Sequence, residues 1–428
     1  MPTPRGYLLI LTALGIWGTG RALGASPLDQ IGFALLGLVA IAIGVVRFGR
    51  HELRVVRRVS PERARSGQPV TITLQIHNEG RGQAPLLLLE DRLPKGTVGT
   101  ARYAVNGIEP GGTRETSFTV TAGQRGSYEI GPLDVSFVDP FGLARVRVQT
   151  TPASGFLVYP PVEKLQLLRD IGERHSVSSS AVKQLTGARG EDFYTMREYS
   201  YGDDLRKVHW PSTARLGKLM LRQEETPWQA RATILIDDRH VHEGYGVNNS
   251  FERSVIAAAS VVDLYKRVGY TYRLVGAIAP GIASGKGADH DRSSLDLLAT
   301  IQPSSPGGEE DALVLRMTEL ARSSHAEAAL VLVCSTPSPE AILALIRCRT
   351  RFRQVTAVIF PAHRFGTGTT RDRWQGEAEV VEQVGLLARS GIRSLVLGPD
   401  EPISIGWNTL AQGRTSEVRH WGPKPELV

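Results

Sequence analysis

Residues 230–240 read ARATILIDDRH, and the apolar run from Thr233 to Ile236 at its centre decides how the C-terminal half of the chain folds. A short apolar segment followed at once by two aspartates is the pattern of a buried strand that delivers polar groups to its C-terminal edge. Four similar segments follow, Tyr272 to Val275, Ala329 to Val333, Val355 to Phe360 and Ser394 to Leu397. Helical stretches separate them at Phe251 to Arg267, Asp311 to Arg322, Pro339 to Arg349 and Glu377 to Ala388. Strand and helix in alternation predict a doubly wound α/β domain over residues 230–428. Asp237 and Asp238 then stand at the mouth of its crevice.

Immediately upstream, residues 161–229 form a linker, including the polar Glu173 to Ser180, and a dense charged stretch from Gly187 to Glu225. That stretch crowds ionised side chains of both signs around Tyr194, Tyr199, Tyr201 and Trp210. A solvated loop has no need of the aromatics, and a core strand has no need of the charges. Gly202-Asp203-Asp204 reads as a tight turn with a capping aspartate. Leu205 to Arg215 reads as a short helix with Val208 and His209 or Trp210 inward, ending or restarting at Pro211. His209 beside Asp203 and Asp204 invites a general acid–base role. No nucleophile or metal set accompanies it, and Ser212 lacks a GxSxG elbow, so a structural hydrogen-bonding role is favoured.

Further outward, residues 51–160 alternate with period two. Val70 to His77, Thr116 to Thr121, Leu133 to Val138 and Ala144 to Gln149 are separated by turn clusters, which predicts an all-β, immunoglobulin-like sandwich with no catalytic group. Residues 1–50 hold two apolar runs, Tyr7 to Thr19 and Leu28 to Val46, each near the length that crosses a bilayer. They predict a transmembrane helical hairpin in which Gly15, Gly18, Gly32, Gly37 and Gly44 permit close helix approach. A cleaved signal peptide ending near Ala22 to Ala25 is the competing reading, and the second apolar run argues against it.

Charge supports the same picture. The formal charge is +7 over 428 residues, yet residues 1–65 hold nine Arg or Lys against three Asp or Glu, leaving 41 against 40 for the remainder. The arginines after Val46 place that flank in the cytoplasm by the positive-inside rule, with the N-terminus and soluble domains on the same side. A neutral body argues against a nucleic-acid partner. The two cysteines, Cys334 and Cys348, show neither disulfide nor zinc spacing. Gly281 to Gly287 (GIASGKG) fails as a phosphate loop, because Pro280 takes the first glycine's place and Gly287 that of Ser or Thr. The polar tract Gly281 to Arg292 reads as a flexible loop, and the tail after Gly406 carries little signal and ends disordered.

The run Arg197-Glu198-Tyr199, then Gly202-Asp203-Asp204, Arg206, His209-Trp210, Ser212, Ala214-Arg215, Gly217-Lys218-Leu219, Arg222 and Glu224, resembles the signature of the bacterial domain of unknown function 58 family. Arg125 to Tyr128, Gly131-Pro132 and Asp139 to Leu143 resemble the segment that precedes it there. The resemblance implies a von Willebrand factor A-like region, a MoxR-type AAA+ ATPase partner and, in some members, a transglutaminase-like membrane protein partner. In such a region the first strand delivers Asp-x-Ser-x-Ser to a divalent cation. Here Asp237-Asp238-Arg239-His240-Val241 loses both serines and places an arginine against the cation, so Asp237 and Asp238 make a degenerate site for which no metal and no other cofactor are expected. The expected function is a membrane-anchored, non-enzymatic adaptor whose partner-binding residues are Arg197, Glu198, Tyr199, Gly202, Asp203, Asp204, Arg206, His209, Trp210, Ser212, Arg215, Gly217 and Arg222. A hydrolase centred on His209, Asp203 and Asp204, and a surface adhesion protein, are the alternatives.

Overall fold

The computed structural model describes residues 1–48, 52–84, 86–105, 107–168, 194–199, 208–224, 231–240, 242, 244, 249–305, 311–322, 327–366 and 369–412. They fall into two compact units, Met1–Pro160 and Pro161–Val428.

The first unit opens with an antiparallel helical hairpin, α1 (Pro4–Leu23) and α2 (Ser26–Phe48), turned at Gly24 with φ of 71°. Both helices are long and apolar enough to cross a membrane. Thr3 caps α1 by accepting from the Gly6 N–H. Of the five glycines expected at the helix contact, Gly32 alone lies against the partner helix, where a Cβ would stand 2.9 Å from Trp17 Cβ; Gly15, Gly18, Gly37 and Gly44 face open space. Gly20 takes the role the others were assigned, since a Cβ there would meet Asp29 Oδ1 at 2.8 Å. Periodicity shows which residues are small, whereas the helix crossing point decides which of them matter.

Eleven strands follow: β1 (Leu53–Ser60), β2 (Arg63–Arg65), β3 (Pro69–Asn78), β4 (Leu86–Asp91), β5 (Thr97–Val98), β6 (Arg102–Val105), β7 (Thr113–Ala122), β8 (Gly126–Ile130), β9 (Leu133–Val138), β10 (Arg145–Thr151) and β11 (Ser154–Tyr159). One sheet is ordered β1-β3-β7-β5 and the facing sheet β10-β9-β4-β6, with β2-β11-β8 as a third. The alternation in β3 puts Val70, Ile72, Leu74 and Ile76 wholly inside, against Leu87, Leu89, Val135 and Phe137 of the other sheet. A buried ion pair, Arg57 Nη2 to Asp91 Oδ1 at 2.7 Å, links β1 to β4 across the sandwich. Register pairs Leu53 with Asn78, His77 with Thr113, and Leu86 and Arg145 with Val138. The turns 78–86, 105–113 and 138–145 therefore share one end of the sandwich, and the hairpin meets that end: Pro2 bridges Ala144, and Thr3 N–H donates to Leu143 O at 2.8 Å.

The second unit contains the antiparallel pair β12 (Tyr194–Glu198) and β13 (Met220–Glu224), separated by α3 (Trp210–Leu216). Its main body runs β14 (Arg231–Ile236), α4 (Ser250–Val268), β15 (Thr271–Gly276), β16 (Ile282–Gly285), α5 (Ala288–Thr300), α6 (Ala312–Arg322), β17 (Glu327–Cys334), α7 (Pro339–Cys348), β18 (Phe352–Ile359), α8 (Ala362–Phe365), α9 (Thr370–Arg389), β19 (Arg393–Val396) and α10 (Ile403–Ala411). The six-stranded sheet is ordered β16-β15-β14-β17-β18-β19, parallel except for β16. Side chains of α4, α5 and α10 pack on one face around Ile234, Ile236 and Val331; those of α6, α7 and α9 pack on the other around Leu235, Leu330 and Leu332. Apolar residues on both faces explain the continuous apolar strands.

Two expectations need correction. The Gly281 to Arg292 tract is not a loop: it holds the edge strand β16 and the start of α5. An edge strand has one neighbour and needs no apolar run. Helix α5 buries polar residues, Asp291 through the Tyr272 hydroxyl at 2.8 Å and Ser294 through His290 O at 2.9 Å, so its apolar period is faint. The start of the tail after Gly406, whose residues 413–428 lie outside the described residues, is likewise ordered, as the end of α10. Its Trp407 is 1% exposed and donates from Nε1 to Gln166 O at 2.8 Å, and the Glu163 carboxylate accepts from Ser404 N and Oγ at 2.9 and 2.7 Å. Contacts to residues 163–166, far upstream in the chain, anchor this helix, which leaves little local pattern to read. The linker reading of Glu173 to Ser180 lies outside the described residues.

Candidate functional site

In a doubly wound sheet, ligands bind outside the C-terminal ends of strands, where the connections on either side of the first strand run in opposite directions. Here that point lies between β14 and β17, and β14 ends at Ile236. Asp237, Asp238 and Arg239 follow, and they are 0%, 2% and 6% exposed. Asp237 N–H still belongs to the ladder, donating to Val333 O at 2.9 Å. Its carboxylate is met bidentately by Arg239, Nε to Oδ1 at 2.8 Å and Nη2 to Oδ2 at 2.9 Å. Asp238 turns the other way. Its Oδ1 accepts from Ile278 N–H at 2.8 Å and its Oδ2 from Ala279 N–H at 2.7 Å, fixing the chain that leaves β15.

These two aspartates therefore do different work. The first is neutralised by an internal guanidinium and the second is consumed by backbone donors, so neither presents a free carboxylate edge to the crevice. Among the described residues no group of three or more His, Cys, Asp or Glu side chains could hold a metal ion. The arginine that sequence reasoning placed against a cation instead takes a cation's position on Asp237.

Other polar groups adjoin the aspartates. His242 donates from Nε2 to Asp237 O at 2.8 Å, its Nδ1 lies 3.2 Å from Ser250 Oγ, and its ring meets Phe251 edge-on at 4.9 Å. Burial holds this imidazole below the ordinary histidine range despite the nearby Asp237. Cys334 ends β17 wholly buried, and burial together with the Asp237 charge pushes its thiol well above the usual range. Ser335 donates to Phe360 O at 3.1 Å. Sequence reasoning passed over His242 and Ser250, which are eight positions apart on loop and helix and converge only in the fold.

A second cluster, also unforeseen, lies just past β18. Arg364 Nε and His363 Nε2 both reach Glu377 Oε2 at 3.0 Å, and Arg364 Nη2 reaches Oε1 at 2.5 Å. Gly376 makes room, because a Cβ there would stand 2.6 Å from His363 Nδ1. Burial alone would raise the Glu377 carboxyl; hydrogen bonds from His363 and Arg364, with the Arg364 charge, override it and hold it at about 2.

The charged stretch is only partly described. Arg197 pairs with Leu221, Glu198 with Met220 and Met196 with Arg222 along β12 and β13, and Tyr199 N–H donates to Leu219 O at 2.9 Å. Gly202, Asp203, Asp204 and Arg206 lie outside the described residues, as does the helical reading of residues 205–207. The helix that is described begins at Trp210 with Pro211 in its first turn, where a missing N–H costs nothing. His209 is its cap: Nδ1 accepts from Ser212 N at 3.3 Å and lies 2.9 Å from Ser212 Oγ. Arg215 stands in the last turn, complementing the helix dipole, and Gly217 closes the helix with φ of 68°. Val208, Met220 and Leu221 are buried, which fits the inward position expected of Val208. Trp210 is not inward. It is 67% exposed, and Leu216 and Leu219 of the same segment are 59% and 39% exposed.

No curated protein matches the chain. Solved structures similar to part of it include the CARDB domain of the PF1109 protein from Pyrococcus furiosus, 18% identical, covering 25% of this chain and 86% of that one with a TM-score of 0.19. A conjugative transposon lipoprotein from Bacteroides eggerthii is 16% identical, covering 24% and 95% with a TM-score of 0.17. The GAE domain of GGA2p from Saccharomyces cerevisiae is 12% identical, covering 24% and 88% with a TM-score of 0.17. Two family models match: residues 50–132 fit CARDB, an immunoglobulin-like domain, and residues 195–359 fit the protein family of unknown function DUF58.

Proposed function

We propose that this protein is a membrane-anchored, non-enzymatic adaptor. Its hairpin sits in the cytoplasmic membrane, with the N-terminus and both soluble units in the cytoplasm, and its α/β unit is a von Willebrand factor A-like domain whose crevice has been given up as a metal site. The observation that carries this reading is the Asp237–Arg239 pair. It fills the position at which such a sheet would do chemistry, while the exposed groups of the charged stretch, Trp210 above all, suit a contact surface. The order β16-β15-β14-β17-β18-β19 with one antiparallel edge supports the domain reading.

A MoxR-type AAA+ ATPase is the proposed partner, with a transglutaminase-like membrane protein as a further one, in assembly or maturation of membrane or envelope complexes. The chain carries no nucleotide motif of its own, so a remodelling role needs an energy source from elsewhere. Purification of the solubilised full chain from its native membranes, with and without ATP, tests this. Recovery of such an ATPase that depends on Trp210 supports the adaptor, and its absence under both conditions removes the proposal. The hydrolase reading rests on His209 as a base, and its Nδ1 is occupied as a helix cap.

A further inference from the structure

We infer that the sandwich is seated on the bilayer through the loop Asp139–Leu143, with Phe141 inserted at the boundary between headgroups and acyl chains; this rests on the hairpin spanning the membrane. The loop is rigid and presents an apolar tip. Asp139, 3% exposed, accepts from Phe141 N–H at 3.0 Å and Ala144 N–H at 2.5 Å, and Gly142 turns the chain with φ of 69°. The Asp139 carboxylate thus holds the backbone of the turn, while the Phe141 ring is 65% exposed. Exposed aromatic rings on fixed loops are costly in water and favourable at a membrane interface, where such side chains concentrate.

The position of the loop is set by the hairpin itself. Thr3, the cap of α1, donates from Oγ1 to Gly142 O at 2.6 Å, and the Met1 amino group donates to Arg145 O at 2.8 Å. Gly6 in the first turn of α1 approaches so closely that a Cβ would stand 2.2 Å from Leu143 O. Val46 near the end of α2 is buried in the cluster that contains Leu143 and Ala144. The loop therefore stands level with the point where both helices enter the bilayer. A helix of 20 residues such as α1 is about 30 Å long, the thickness of the hydrocarbon core, so its first turn lies at the interface.

Charge at that level fits anionic lipid. Arg5, Arg47 and Arg145 are exposed around the loop, and Arg54 and Arg81 lie on the same end of the sandwich. Glu52, Glu79 and Glu109 also lie there, with Glu79 facing Arg54 at 3.9 Å, and the buried Asp139 presents no charge to solvent. Basic side chains at a cytoplasmic surface gain from anionic headgroups.

The test uses the full chain with one introduced cysteine carrying an environment-sensitive fluorophore, the native Cys334 and Cys348 being buried, in nanodiscs of phosphatidylcholine with phosphatidylglycerol and nitroxide-bearing lipids. Three sites are compared: Phe141→Cys, Val98→Cys and Leu14→Cys. Val98 is 75% exposed at the far end of the sandwich, about one strand length, ~30 Å, from the loop. Leu14 is 45% exposed at the middle of α1. Shallow nitroxide should quench the label at 141 at least threefold more than at 98, and more so as phosphatidylglycerol is increased. Equal quenching at 141 and 98, with the label at 14 quenched by deep nitroxide, overturns the seating and leaves the anchor standing. No quenching at 14 overturns the anchor and the seating together. The unlabelled Phe141→Cys chain should melt within 2 °C of the wild type, since an exposed ring contributes little to folding.

Discussion

Arg239 returns across a single intervening residue to grip the carboxylate of Asp237, Nε to Oδ1 at 2.8 Å and Nη2 to Oδ2 at 2.9 Å, with both side chains almost wholly buried. A pair so close in sequence forms without long-range searching, and its cost is desolvation of both charges. Hydrogen bonds in a bidentate geometry offset that cost.

Removing one member strands the other. Arg239→Met or Asp237→Asn should destabilise the α/β unit by about 3–5 kcal/mol, lowering its melting temperature by roughly 10 °C. Differential scanning calorimetry of the full chain in nanodiscs reads this directly. A shift under 2 °C for both variants would show that the pair contributes little.

Acid should act on the α/β unit in two windows. His242 is held below its ordinary range by burial, so the unfolded chain binds its proton first, and stability present above the unfolded value near 6.5 falls as pH drops below it. Glu377 is held at about 2 against an ordinary 4.5, so its contribution is complete above 4.5 and is lost as pH falls from there toward 2. That second loss is on the order of 3 kcal/mol. Urea midpoints measured from pH 7 to pH 3 should show both declines, and His242→Gln should flatten the upper one.

The cap and the indole of the signature stretch separate by substitution. His209→Ala should cost about 1 kcal/mol through loss of the helix cap, and His209→Asn should recover most of it. Trp210→Ala should leave stability within about 0.5 kcal/mol, because the ring is exposed, yet remove most partner recovery from membranes. An enzyme built on His209 would show the reverse: His209→Asn would be folded and inactive.

Trp407→Ala should cost about 3–5 kcal/mol by opening a large cavity under the sheet. Deleting residues 161–168 should have a comparable effect, since Gln166 O receives the indole N–H and Leu165 and Leu168 lie in the same core. Limited proteolysis would reveal the release of α10 in either case.

Much of the architecture was legible because it is written in local period. Strands β14, β17 and β18 are mostly apolar on both faces, β3 alternates strictly, and the hairpin runs are long and apolar, so each of these elements declared its type before any neighbour was known. The elements that escaped include β16, α5 and α10, which carry little apolar period of their own: β16 is an edge strand paired with β15 alone, α5 buries the polar Asp291 and Ser294, and α10 is held by Glu163 and Gln166, each 241 residues upstream of its partner. The same division holds at the site. Sequence alone determined that Asp237 and Asp238 follow directly on a buried apolar strand, with Arg239 next in the chain. Only the tertiary structure decided that Arg239 folds back onto Asp237, that Asp238 is consumed by Ile278 and Ala279, and that Trp210 faces outward, because direction of a side chain is set by packing and helix phase rather than by residue type.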